Sequence, residues 1–543
     1  MITQSYYRIL YLTVLVILVV FFVNIISNFE IINILTTLYQ PGGLKGSIKV
    51  SIYLISYLFV FMNLLLIILM RNTLLFKLIF FCVLLLFQID LTYWIIGEEY
   101  GFSINQFIIG MTEKSHIMGA LETYFTSILK AFSIIIIFLV SLIYLRKKIR
   151  ITYYYLPILM LPLSLIGSYK VYTISAYTAF EYPSYVKIPI YIAETLNKGW
   201  LNIPFVKRNS VEYKVTNEKK YRNILWIVDE SIRPEFLSIN NYLLDTTPFL
   251  KKFKDVVSLG IVSSTANNSA PSNYIMRNGI QLNQLPDNNY KTLKQSNILQ
   301  FAKKALYKTW FLDGQVQYKQ YQNFLSPYDI DNISEYFTIK NRTDSTKLDR
   351  ILIDKTADIF KNNKSNFVFM VKQGSHVPWL LNYPKDKTIF KPVLKQFESV
   401  TFENRNNAIN TYANSIKWGV DDFFKELLRK IDLDNTIIFY TSDHGINIAE
   451  NNMLLHYGLA ENPPSTMGSV PILIFAKDIN SLYNFEKDIY SAYQIFPTVL
   501  EVMGYDENVT SIYNMTLFDK NNKERDRYFF SGYVFGKGFI NEF

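Results

Sequence analysis

The chain is poor in the residues that most often build metal and redox sites: its 543 residues include one cysteine and four histidines. Cys82 falls within an apolar run, so the rest of the chain can form neither a disulfide nor a cysteine-ligated zinc site. Any metal must then be held by oxygen and imidazole ligands. The formal net charge of +10 is spread without the dense basic cluster that nucleic acid demands. A phosphate-binding loop is missing too. In SGYVFGKGF (531–539) Gly532 and Gly536 are separated by three residues rather than four, and neither Ser nor Thr follows Lys537.

Apolar residues are abundant, and they crowd into the first third. Five runs approach or reach the ~20 residues a bilayer requires. They cover about Tyr11 to Ile26 with flanking residues, Ser51 to Met70, Leu75 to Ile96, Leu129 to Leu145 and Tyr153 to Ile174. The first lacks a small-residue cleavage site and is followed by further spans, so it reads as a span rather than a removed signal. Arg71 lies between spans two and three, with Lys77 at the very start of the third; Arg146, Lys147, Lys148 and Arg150 lie between spans four and five. The positive-inside rule puts both loops, and the N-terminus, in the cytoplasm. Everything beyond about Ala176 is then outside. The expected organisation is a transmembrane domain over 1–176, an interfacial linker over 177–220 and a soluble domain over 221–543. In the linker, KIPIYIAETLNKGWLNIPF has the amphipathic, Trp- and Tyr-bearing character of a helix lying on a membrane interface.

In the last part, short apolar runs alternate with helical patterns. NILWIV (223–228), LGIVS (259–263), KTWFL (308–312), NFVFMV (366–371), TIIFYT (436–441) and VPILIF (470–475) read as buried strands. Between NFVFMV and TIIFYT, residues 407–431 keep Ile416, Val420, Phe424 and Leu427 on one helical face. This alternation implies a mainly parallel α/β sheet, whose ligands gather beyond the carboxyl ends of the strands. There stand Asp229 and Glu230 after NILWIV, Ser269 in the turn after LGIVS, His376 after NFVFMV, and Asp443 with His444 after TIIFYT. A carboxylate and an imidazole at a strand's exit can bind the same metal ion. His456 follows a little further on.

The segments WIVDESIRPEFLSINNY, SSTANNSAPSNYIM, VKQGSHVPWLLNYP, YTSDHGINIAENNMLLHYG and YQIFPTVLEVMGY, in that order, resemble the successive motifs of membrane-bound phosphoethanolamine transferases, members of the alkaline phosphatase and sulfatase superfamily. The five N-terminal spans match that family's architecture. The resemblance implies a five-helix transmembrane domain followed by an alkaline phosphatase/sulfatase-like α/β domain. It further implies a zinc ion held by Glu230, Ser269, Asp443 and His444, with Ser269 as nucleophile and Thr265 as the alternative. Two carboxylates and one imidazole leave a zinc position open for an alkoxide, and coordination favours the deprotonated hydroxyl. His376 and His456 match family positions that contact the transferred phosphate or bind a second zinc; one of them is also a candidate to protonate the leaving alkoxide.

In the family, the loop between spans three and four holds the ethanolamine head. Here that region offers Thr112, Glu113, His116 and Glu122 without a clean match to the family pattern. A second departure is the lack of the disulfides common in well-known members. The implied reaction moves phosphoethanolamine from phosphatidylethanolamine to lipid A or a core sugar of lipopolysaccharide, on the periplasmic side of a bacterial inner membrane. Phosphatidylglycerol as donor is one alternative; a membrane-anchored sulfatase or phosphodiesterase, with water as acceptor, is another. Intact Glu230, Ser269, Asp443 and His444 argue against a catalytically dead anchor.

Overall fold

A computed structural model describes 204–315, 323–340, 344–396, 400–450, 462–483, 485–519, 527–536 and 538–543, together with 342 and 398. Before residue 204 it describes mainly 10–15, 85–93, 124–148 and 184–198, with scattered single positions and short pieces. The chain divides into two compact units, one running to Leu201 and joined by Phe397–Ser399, the other beginning at Asn202.

The first unit contains helices α1 (Phe125–Lys148) and α2 (Ser184–Lys198). Asp90 accepts hydrogen bonds from the backbone N–H of Ser184 at 2.7 Å and from its hydroxyl at 2.5 Å, which satisfies an orphan donor at the start of α2. Of the five expected spans, the fourth, Leu129 to Leu145, falls within the residues of α1, whose side chains are described continuously only over 125–141. The others fall largely outside the described residues. Among the described residues no helix is long and apolar enough to cross a membrane. Thr112, Glu113, His116 and Glu122 also lie outside them.

The second unit is built on β1 (Asn223–Asp229), β2 (Val256–Ser258), β3 (Val262–Ser263), β4 (Lys308–Asp313), β5 (Glu335–Thr338), β6 (Asn366–Val371), β7 (Thr436–Ser442), β8 (Ser469–Val470), β9 (Ile472–Phe475), β10 (Tyr528–Gly532) and β11 (Gly538–Glu542). Seven of these form one sheet in the order β2-β9-β7-β1-β6-β4-β5. Only β9 runs against its neighbours, so the sheet is mainly parallel. Two small antiparallel pairs, β3 with β8 and β10 with β11, stand apart. The helices that matter below are α3 (Ser269–Asn278), α4 (Leu348–Phe360), α5 (Arg405–Ile416) and α6 (Phe423–Lys430), with a π-helical turn, Lys417–Asp422, joining the last two.

Both faces of the sheet are covered, which is why its strands read as continuous apolar runs. Ile224, Trp226 and Val228 of β1 pack into one core; Leu225 and Ile227 pack into the other. β6 and β7 alternate in the same way, with Phe369 and Phe439 on the first face and Met370 and Tyr440 on the second. Each such fully buried apolar side chain contributes about 1.5–3 kcal/mol of burial free energy. On the expected 407–431 helix, Ile416, Val420, Phe424 and Leu427 are all fully buried, on a helix interrupted by the π turn.

Two strand expectations need correction. LGIVS is not a strand: β2 ends before it and β3 begins within it. Gly260 turns the chain there at φ +78, and a Cβ on it would sit 2.1 Å from Asp488 Oδ1. VPILIF splits at Pro471, which has no N–H to give to a ladder, into β8 and the antiparallel β9.

Candidate active site

The parallel strands β1, β6 and β7 release their chain at one edge, and the polar residues that follow them converge. β1 is in register with β7 up to Asp229 opposite Ser442, so Glu230 and Asp443 leave the sheet side by side. Directly after Glu230 the backbone turns at Ser231, whose φ of +57 is unusual for a residue with a Cβ. That turn lets the Ser231 N–H donate to Asp443 Oδ1 at 3.0 Å and its hydroxyl donate to Glu230 Oε1 at 2.7 Å. The His444 backbone N–H gives Asp443 Oδ1 a second bond of 2.7 Å. One oxygen of Asp443 is thus fully engaged. The other, Oδ2, is buried without a hydrogen-bond partner.

His444 Nδ1 lies 2.6 Å from the Gly445 carbonyl and donates to it, so Nε2 faces the carboxylates. It is 3.5 Å from Glu230 Oε1 and 3.6 Å from Asp443 Oδ2. Ser269 opens α3, and its hydroxyl lies 3.2 Å from Glu230 Oε2 and 3.3 Å from His444 Nε2. Glu230, Asp443 and His444 can each offer one ligand atom, all within 4.8 Å of one another and all buried. A partnerless carboxylate oxygen, a second carboxylate and an imidazole with its far nitrogen tethered fit a divalent metal ion, and the donor set contains no sulfur.

Electrostatics of the metal-free group point the same way. Burial, reinforced by the Glu230 carboxylate, pushes Asp443 up to about 7. Burial alone would lower His444, but the Asp443 and Glu230 carboxylates overcome it and raise the imidazole to about 9. For Glu230, burial is outweighed by the hydrogen bond and charge of His444, with a further share from His376, and its carboxyl is held below the usual range. Two buried acids thus draw on an imidazolium for the positive charge that a cation would otherwise supply.

His376, half-buried after β6, directs Nδ1 to the Val377 carbonyl at 2.6 Å and lies near enough to Glu230 to lower its carboxyl. The Thr265 hydroxyl donates to the Ser272 carbonyl at 3.3 Å. His456 lies outside the described residues. Gln315 and Lys372 escape a reading of local sequence, whereas Asp229 stands at the strand end where the sequence puts it. Gln315, just past β4, donates from Nε2 to Glu230 Oε2 at 2.9 Å and to the Lys372 carbonyl at 3.0 Å. Asp229 accepts the Glu230 N–H at 2.9 Å and a hydrogen bond from Lys372. The one available signal for Lys372 is that it is a charged residue directly abutting a buried apolar strand.

A mainly parallel sheet with a serine, two carboxylates and an imidazole at its carboxyl edge defines an alkaline phosphatase/sulfatase-like domain. The chain belongs to the Sulfatase family, whose model matches residues 222–505. It is similar to the Kdo(2)-lipid A phosphoethanolamine 7''-transferase of Escherichia coli (strain K12), with 25% identity over 47% of this chain and 44% of that protein. It is likewise 25% identical to phosphoethanolamine transferase EptA of the same strain, over 56% of this chain and 58% of the relative. The chain thus spans about half the length of the curated relatives it matches. Among solved structures, the integral membrane protein lipooligosaccharide phosphoethanolamine transferase A from Neisseria meningitidis superposes with a TM-score of 0.62 at 19% identity, covering 90% of this chain and 95% of that one. At that identity the likeness speaks for the fold.

Proposed function

We propose that the chain transfers phosphoethanolamine from phosphatidylethanolamine to a lipopolysaccharide acceptor, either lipid A or a core sugar, through a covalent intermediate on Ser269. The observation that carries this reading is the Ser269 hydroxyl at the first turn of α3, within 3.3 Å of both Glu230 and His444, the imidazole itself lying 3.6 Å from Asp443 Oδ2. Zinc held by Glu230, Asp443, His444 and the Ser269 oxygen would supply the Lewis acidity that makes this hydroxyl a nucleophile near neutral pH.

Ser269 surrenders its proton to solvent, and Oγ bonds the phosphorus as the bond to the diacylglycerol oxygen breaks. The positive end of α3 favours the negative charge on Oγ before attack. His376 and His456 are the candidates to meet the nonbridging oxygens and to return a proton to the departing alkoxide. An acceptor hydroxyl then attacks the same phosphorus, the Oγ–P bond breaks, and the serine is regenerated. Thr112, Glu113, His116 and Glu122 are the candidates to receive the ethanolamine ammonium.

The names of the relatives support the donor group and acceptor, and the apolar first third supports a lipid donor. In this reading residues 1–176 form five spans in a bacterial inner membrane, 177–220 lie at its surface and 221–543 form the periplasmic catalytic domain. Mass spectrometry of lipopolysaccharide from cells expressing the wild-type chain or Ser269→Ala tests it. A phosphoethanolamine increment on lipid A or core that disappears with Ser269→Ala is the expected result. An unchanged glycolipid with altered phosphoglycerol content would sink the reading in favour of a phosphatidylglycerol donor.

A further inference from the structure

Directly behind Glu230 lies a buried ion pair that takes no part in the chemistry above. Lys372, the first residue after β6, has a fully buried ammonium that bonds Asp229 Oδ2 at the end of β1. The same ammonium donates to the Gly419 carbonyl at 2.6 Å, lies 3.7 Å from Asp349 at the start of α4, and sits 4.3 Å from the Phe423 ring centroid. Tyr440 adds a hydrogen bond of 2.8 Å to Asp229 Oδ2.

We propose that the Asp229–Lys372 pair is a positioning device for Glu230. The proposal rests on reading Glu230 as a metal ligand. Stability is a poor explanation for such a pair, since replacing both partners by apolar residues of similar volume is often neutral or stabilising. Its connections explain it better. While Oδ2 of Asp229 is held by Lys372 and Tyr440, Oδ1 receives the Glu230 backbone N–H at 2.9 Å. Through Asp349 the same cluster holds the next loop, because that carboxylate accepts the N–H groups of Gln373 at 2.9 Å and Gly374 at 3.3 Å. Gly374 then closes over the pair: a Cβ there would lie 2.1 Å from Asp229 Oδ1 and 2.7 Å from the Glu230 nitrogen. The Glu230 backbone is thus pinned from below by Asp229 and from above by Gly374. The π-helical turn belongs to the same device, because it carries the carbonyl that fixes the third side of the ammonium.

The test measures zinc affinity of the full-length chain by competition with a chelator, alongside thermal unfolding and steady-state kinetics. Asp229→Ala/Lys372→Met removes both charges and the acceptor for the Glu230 amide. Its zinc affinity should fall by about 10–100-fold, with kcat reduced and KM for the donor within about twofold of wild type. Asp229→Asn/Lys372→Met removes both charges but keeps a carbonyl for that amide, and it should regain most of the lost affinity. If the double variants do not fold, Tyr440→Phe decides, since it removes only the hydroxyl that steadies Asp229; about threefold weaker zinc binding is expected. Folded variants that hold zinc as tightly as wild type overturn the positioning role and leave the metal site standing. A wild-type chain that takes up no zinc overturns the metal reading itself, and this proposal with it.

Discussion

The two ends of the same three strands bury very different polar groups. At the amino ends of β1, β6 and β7 stand Asn223, Asn366 and Thr436, opposite one another in register and all neutral. Asn366 Nδ2 donates to Asn223 Oδ1 at 3.0 Å, and Asn223 Nδ2 reaches Thr436 Oγ1 at 3.4 Å, so this edge is satisfied without charge. At the carboxyl ends, Asp229, Glu230, Lys372, Asp443 and His444 are ionisable and almost wholly buried, and one carboxylate oxygen is left without a partner. Amides suffice to close a sheet. The more costly burial of charge is confined to the edge where a metal and a phosphate would be handled.

The largest effect expected on this contrast comes from Ser269→Ala, which should lower transfer activity by about 10,000-fold or more while leaving the unfolding temperature unchanged, as a nucleophile's removal does. Thr265→Ala should retain most activity in the same assay. Next is Asp443→Asn: without this carboxylate, zinc affinity measured by chelator competition should drop by about 100-fold or more.

Asn223→Asp would carry charge to the wrong edge. A carboxylate there keeps its acceptor role toward Asn366 but is buried at the opposite end of the strands from the Lys372 ammonium, so unfolding in urea should show a loss of about 2 kcal/mol at neutral pH, with zinc affinity unchanged. The sign with pH follows from burial. The folded-state pKa of the new acid is raised, so the deficit is full above that value and vanishes below the unfolded value of about 4. Gly374→Ala probes the same corner through the backbone, because residue 374 has φ +57 and a Cβ there would lie 2.1 Å from Asp229 Oδ1. A roughly tenfold weaker zinc affinity and an unfolding temperature a few degrees lower are expected.

NFVFMV coincides with β6, and TIIFYT with β7 less its last residue, because a strand covered on both faces must be apolar at every position. The direction of β9 was not legible, since an apolar run has the same pattern whichever way it points. β5, with sequence EYFT, is too short and too polar to stand out. Glu230, Asp443 and His444 could be located because each stands at or just beyond the end of such a run. Gln315 and Lys372 could not be assigned to the same place, because their neighbours are set by pairings across the sheet, 85 residues of separation in the Gln315–Glu230 contact and 143 in the Lys372–Asp229 contact. The Gly260 turn was hidden for a similar reason: what forbids a side chain there is Asp488, far along the chain.

Gly445 gives the Asp-His element a further meaning. A Cβ at this position would lie 2.1 Å from the Thr466 carbonyl oxygen and 2.6 Å from that of Ser469. The carbonyl that tethers His444 Nδ1 therefore belongs to a residue wedged against the backbone that leads into β8. Any side chain at 445 would shift that tether and release the imidazole to flip between its two nitrogens. The ring's choice of which nitrogen faces the carboxylates is thus dictated by a residue that has no side chain at all.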